Sequence, residues 1–182
     1  MLKEIEDRRS IRSYKDQPVP EDVLNDILES GRLAPSGSNT QPWRFIVVRS
    51  KETREKLCLA DHNQSWMLSA PVFIVCVADP RCQMENGGGG AVFSVDEESP
   101  ESSLKRVIRD ASIAVEHMAL EAVSQGLGTC WTGWYEQKEI RPVLNIPEDR
   151  YVCCVLTLGY PDEAPAPRPR KPMEELVRYE TW

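Results

Sequence analysis

A chain of 182 residues with 41% hydrophobic side chains is long enough to bury a sizeable core, and its mixed charge argues against a disordered segment. Lysine and arginine number 22 against 29 aspartates and glutamates, a net charge of -7. That balance excludes a general nucleic-acid binder, which needs a basic surface.

Residues 1–10 are charged and hold no apolar central segment, so no leader peptide is expected. They run into Arg8-Arg9-Ser10-Ile11-Arg12-Ser13-Tyr14, where guanidiniums alternate with hydroxyls. Guanidinium is a planar fork of donors suited to phosphate oxygens. Val19-Pro20-Glu21-Asp22 then reads as a helix start, with acids against the positive end of the dipole. Val23, Leu24, Ile27 and Leu28 form its apolar stripe.

The next segment is Ala34-Pro35-Ser36-Gly37-Ser38-Asn39-Thr40-Gln41-Pro42-Trp43. A loop of this composition can bring backbone N–H groups and short hydroxyls to a flat polar ligand. Residues 45–48 and 72–77 read as buried strands, separated by a polar helix over 51–60. Residues 82–100 carry four consecutive glycines and an acidic flank, Gly87-Gly88-Gly89-Gly90 and Asp96-Glu97-Glu98. No Gly-Lys-Ser/Thr follows them, so the segment reads as an excursion that gates a pocket, not as a phosphate loop.

Residues 103–125 have the longest helical pattern, with Leu104, Val107, Ile108, Ala111, Val115, Met118, Ala119, Ala122 and Val123 on one face. His117 within it reads as a structural or surface residue. Gly126 and Gly128 read as terminators of that helix. They belong to Gly126-Leu127-Gly128-Thr129-Cys130-Trp131-Thr132-Gly133-Trp134, whose glycines suit close approach to a ring and whose tryptophans suit pocket walls. For Trp43, Trp131 and Trp134, core and wall are equally open. A helix over 136–145 and a third strand over 151–158 follow. Beyond Pro161 the chain is Pro-rich and expected to lie extended over another surface. That tail holds a second basic cluster, Arg168-Pro169-Arg170-Lys171-Pro172, which can meet the first on one phosphate.

The six cysteines, Cys58, Cys76, Cys82, Cys130, Cys153 and Cys154, show no Cys-x-x-Cys spacing, and His62 and His117 are the only histidines. No metal site is expected, and reduced thiols point to a cytoplasmic setting. No apolar run is long enough to span a bilayer, so no membrane partner is expected. Helices and buried strands give an α/β or α+β pattern, in one domain over residues 1–182.

Taken together, Arg-Arg-Ser-x-Arg-x-Tyr, Pro-Val-Pro, Ala-Pro-Ser-x-x-Asn-x-Gln-Pro-Trp, Gly-Leu-Gly-x-x-Trp-x-Gly and Arg-Lys-Pro-x-Glu-Glu, in this order, resemble the nitroreductase family of FMN-dependent oxidoreductases. The resemblance covers nearly the whole chain. It implies an α+β fold with a mixed central β-sheet flanked by helices, and an intertwined homodimer with FMN at the subunit interface. It also implies hydride transfer from NAD(P)H through the flavin to a nitroaromatic, quinone, enone or flavin acceptor, with no catalytic acid or nucleophile. By the same resemblance Arg8, Arg9 and Ser10 bind the FMN phosphate, joined by Arg168 and Arg170. Arg12 serves the N1/O2 edge of the ring. Pro35, Ser36, Gly37 and Asn39 reach the flavin from the other subunit, Asn63 offers an amide to the pyrimidine, and Trp131, Thr132 and Gly133 lie beside N5.

Two departures stand out. Some larger relatives have a Lys where this chain has Trp66, and well-known members carry Glu-Gly where it has Thr132-Gly133, which leaves substrate scope open. A non-enzymatic flavin-binding or redox-sensing protein uses the same binding residues and is an alternative. A flavin-fragmenting benzimidazole synthase is a lesser one, since its loop usually departs from Ser-x-x-Asn-x-Gln-Pro-Trp.

Overall fold

The computed structural model describes residues 1–83, 95–96 and 102–182. Most of the excursion expected over 82–100, including its glycines and the gating role, lies outside the described residues.

Helix α1 (Lys3–Asp7) opens the chain, and α2 (Glu21–Arg32) follows the Arg-rich segment. Strand β1 (Trp43–Val48), helix α3 (Lys51–Ala60) and strand β2 (Val72–Ala78) come next. Helix α4 (Ser102–Ser124), strand β3 (Gly128–Thr132), helix α5 (Gln137–Ile140), strand β4 (Tyr151–Gly159) and helix α6 (Met173–Leu176) complete the order. The four strands form one sheet in the order β1-β2-β4-β3, and each pair runs antiparallel. A parallel bridge from Ser10 to Thr129 attaches the Arg-rich segment to the β3 edge. The arrangement is α+β.

Strand β2 is buried at every position, as its unbroken apolar run demands. Its side chains alternate between two cores. Val72, Ile74, Cys76 and Ala78 pack with Leu24 and Ile27 of α2 and with Val107, Ala111, Val115 and Met118 of α4. Phe73, Val75 and Val77 pack on the opposite face with Leu57, Met67, Tyr135, Ile140 and Ile146. No helix among the described residues is long and apolar enough to cross a membrane.

Three expectations need correction. Gly128 does not terminate α4; Gly126 does, at φ +76, and Gly128 opens β3. The close approach of the Arg-rich segment explains the glycine, because a Cβ at Gly128 would meet Ile11 Cγ1 at 2.5 Å. The helix expected over 136–145 is split into α5 and a tighter turn, Arg141–Leu144. Pro142 has no N–H to carry an α-helical ladder through it. The tail is extended as expected, but it ends in the four-residue α6.

Candidate functional site

The two basic segments converge. Arg8, Arg9, Ser10 and Arg12 from the N-terminal side and Arg168 and Arg170 from the tail line one cavity of about 430 Å³. Its floor follows from the packing beneath it. Ile11 is buried and donates its N–H to Thr129 O at 2.9 Å. Tyr14 O–H donates to Ile11 O at 2.6 Å and lies 2.7 Å from Thr157 Oγ1. With Ile11 and Tyr14 inward, Arg12 between them is exposed, and Arg8 and Arg9 before them are half-buried. The tail is tied back by Glu163, whose Oε1 accepts from the backbone N–H of Arg12, and of Ser13 at 3.2 Å.

Among the described residues, Arg8 is the one arginine of this cavity in an ion pair, with Glu116 at 3.5 Å. Glu6 is the one carboxylate on the lining. A concave site with five guanidiniums, in a chain of net charge -7, is built for an anion. Burial pushes the Cys130 thiol up despite the opposing charge of Arg12, which works against thiolate chemistry there.

Pro35, Ser36, Gly37 and Asn39 do not border this cavity. Their loop is a compact turn with Ser38, Asn39 and Gln41 at φ +51, +55 and +47. Left-handed residues without glycine cost on the order of 1–3 kcal/mol each unless surrounding bonds hold them. Here Ser36 Oγ accepts from Gln41 N–H at 2.9 Å, and Asp110 of α4 accepts from Gly37 N–H at 3.0 Å. Trp43, which follows, is 6% exposed and belongs to the core, which decides its role.

At the end of β3, Trp131 is half-buried, Thr132 is buried and Gly133 is exposed. The turn after α3 meets this segment. Thr132 O–H donates to the carboxylate of Asp61, and Gln64 Nε2 donates to Thr132 Oγ1 at 2.7 Å. Gln64 Oε1 in turn accepts from Trp66 Nε1 at 3.2 Å. Asn63, exposed at φ +53, sits beside this network, while Gln64 is the amide that reaches Thr132.

Arg12 completes the line from the other side, with its guanidinium 5.6 Å from the Trp66 ring centroid. The Arg12 guanidinium thus lies against the ring of Trp66. Trp134, 65% exposed, stacks on His62 with ring centroids 4.3 Å apart.

Asp61, His62 and Gln64 carry no signal in the sequence beyond their place after a helix. Only the pairing of the turn with β3 reveals them. Among the described residues, no three His, Cys, Asp or Glu side chains gather as a metal site requires.

The class of protein is set by the chain's relatives as well as by this α+β fold with an arginine-lined cleft beside a sheet edge. A sequence profile of the nitroreductase family matches residues 5–160, and the chain belongs to that family. It is 32% identical over 187 residues to FMN reductase [NAD(P)H] of Bacillus subtilis, covering 100% of this chain and 74% of that one. An FMN-dependent nitroreductase of Clostridium difficile superposes with a TM-score of 0.76 at 30% identity, covering 100% of both chains. The NADPH:FMN oxidoreductase of Vibrio harveyi complexed with NAD+ superposes with a TM-score of 0.86 at 26% identity, covering 99% of this chain and 76% of that one.

Proposed function

We propose that the chain is an NAD(P)H-dependent FMN oxidoreductase that passes two electrons from the nicotinamide to a nitroaromatic, quinone, enone or flavin acceptor. The observation that carries this reading is the meeting of Arg8, Arg9, Ser10 and Arg12 with Arg168 and Arg170 in one cavity. The donor set fits a phosphomonoester: four guanidiniums outside any ion pair among the described residues and a hydroxyl, on a concave surface with one carboxylate. FMN, when bound, supplies the redox chemistry.

The protein residues bind and orient. Arg8, Arg9, Ser10, Arg168 and Arg170 hold the phosphate. Arg12 sets a cation toward the N1/O2 edge, where reduction gathers negative charge. Trp131, Thr132 and Gly133 would serve the N5 edge, and Asn63 would offer an amide to the pyrimidine. Hydride transfer then needs stacking, distance and excluded water, without an acid or nucleophile from the protein.

Residues 1–182 act as one domain, in a cytoplasmic homodimer. Two features support the dimer. Pro35, Ser36, Gly37 and Asn39 lie away from the cavity on their own chain, so they serve the flavin held mainly by the partner. The tail also leaves Met173, Leu176, Tyr179 and Trp182 exposed, apolar surface that a second copy would cover. Light scattering should give a dimer, and a fully active monomer would remove this part of the reading.

The function is tested by chromatography of heat-released cofactor and by steady-state NAD(P)H consumption over a panel of acceptors. FMN with turnover supports the reading. FAD alone, or no flavin after reconstitution, contradicts it. FMN without turnover on any acceptor leaves a flavin-binding protein instead.

A further inference from the structure

The turn between α3 and β2 holds the end of β3 at three points. Asp61 accepts from the Thr132 hydroxyl, Gln64 donates to that hydroxyl at 2.7 Å, and the His62 ring stacks on Trp134 with an interplanar angle of 6°. His62 Nδ1 also bonds the Trp134 carbonyl. His62 and Asn63 are both left-handed, at φ +53, a backbone path that non-glycine residues take only when their surroundings hold them. That path sends residues 61, 62 and 64 onto residues 132 and 134.

Asp61 is the unusual member. It is wholly buried, its Oδ2 ends the donor chain from Gln64 through Thr132, and its Oδ1 has no hydrogen-bond partner among the described residues. An anchor for Thr132 needs no charge: a buried amide would accept the same bond. A buried carboxylate with one oxygen unsatisfied is costly and projects its charge through a low-dielectric interior.

We propose that Asp61 is a positioning residue that acts through Thr132, and that its buried negative charge holds down the reduction potential of the bound flavin. The inference rests on the FMN reading above. With FMN held as proposed, Arg12 would favour the negative charge of the reduced ring and Asp61, behind Thr132, would oppose it. The two charges oppose one another across the line Arg12, Trp66, Gln64, Thr132, Asp61.

The test is the midpoint potential of FMN-loaded parent, Asp61→Asn and Asp61→Ser, with melting temperature and FMN affinity recorded alongside. Both variants remove the charge, and Asn keeps an acceptor for Thr132. The expected result is binding shifted about tenfold or more toward reduced FMN, which is ~30 mV upward for a two-electron couple. A purely structural role would lower melting temperature or affinity and leave the potential of the bound fraction unmoved. A folded, FMN-loaded variant with the parent's potential overturns the proposal.

Should neither variant fold, redox-difference infrared spectroscopy of the parent with carbon-13-labelled aspartate decides. A perturbed aspartate carboxylate band on flavin reduction supports the role, and its absence overturns it. A parent that binds no FMN refutes the functional reading itself, which keeps the two failures apart.

Discussion

The backbone N–H of Gly37 donates to the buried carboxylate of Asp110 at 3.0 Å, so the long helix α4 holds the loop that carries Ser36 and Asn39. The bond joins residues 73 positions apart and fixes a turn with three left-handed non-glycine residues.

Asp110→Ala should therefore loosen that loop while the sheet stays intact. Hydrogen bonds to charged groups contribute about 1.5–3 kcal/mol, so a loss of stability in that range is expected. FMN affinity should fall with it. Thermal unfolding and a flavin titration check both, and a variant with the parent's affinity would remove the loop from the cofactor site.

Arg8→Ala and Arg170→Ala should each weaken FMN binding roughly ten-fold or more, the effect of losing about 1.5–3 kcal/mol of charge-assisted bonding. The two residues come from opposite ends of the chain and line one cavity. Fluorescence titration measures the affinities. Unchanged binding in both variants would contradict convergence on the phosphate.

Gly128→Ala places a methyl where Ile11 Cγ1 lies 2.5 Å and Ile11 Cβ 2.9 Å away. Overpacking of this kind costs about 1–3 kcal/mol. The displaced residues adjoin Ser10 and Arg12, so flavin content should drop along with the denaturant midpoint. An unchanged midpoint would show that Ile11 moves aside freely.

The thiols give a pH prediction. Burial pushes the Cys154 thiol well above the ordinary thiol range, and a contact with Cys153, then burial, does the same for Cys76. Burial also raises Tyr14 above 10.0. A folded-state pKa above the unfolded value means the folded chain keeps its proton longer. The stability involved is whole below the unfolded thiol pKa of about 8.5 and is lost as pH rises past it. The melting temperature should hold between about pH 7 and 8 and fall above about 9. Alkylation at neutral pH should spare Cys76 and Cys154 in the folded chain. A melting temperature constant into strong alkali, or rapid labelling of Cys154, would contradict this.

Much of the fold is legible in the sequence because burial writes itself as apolar pattern. The unbroken run of β2, the stripe of α4 and the polar helix α3, predicted over 51–60 and found there, are such cases. Strand β3 is not legible: its Gly128 is there for the approach of Ile11, and Thr and Cys occupy buried positions among its residues. Convergence of Arg8 with Arg170 is suggested by two basic clusters of like chemistry and by motif resemblance, since nothing local relates two segments so far apart. Asp61 and Gln64 stay hidden because a polar residue in a turn has the same appearance whether it faces water or Thr132. Tryptophan is equally silent: Trp43 is core and Trp134 is surface.

The central claim is tested most directly by an anaerobic titration of the purified, FMN-reconstituted protein with NADH and then NADPH, followed by its visible spectrum. The account predicts oxidised-flavin bands that bleach with about one equivalent of at least one nicotinamide per flavin and return on addition of an electron acceptor. A protein that takes up no FMN, or whose bound FMN stays oxidised with both nicotinamides, would contradict it.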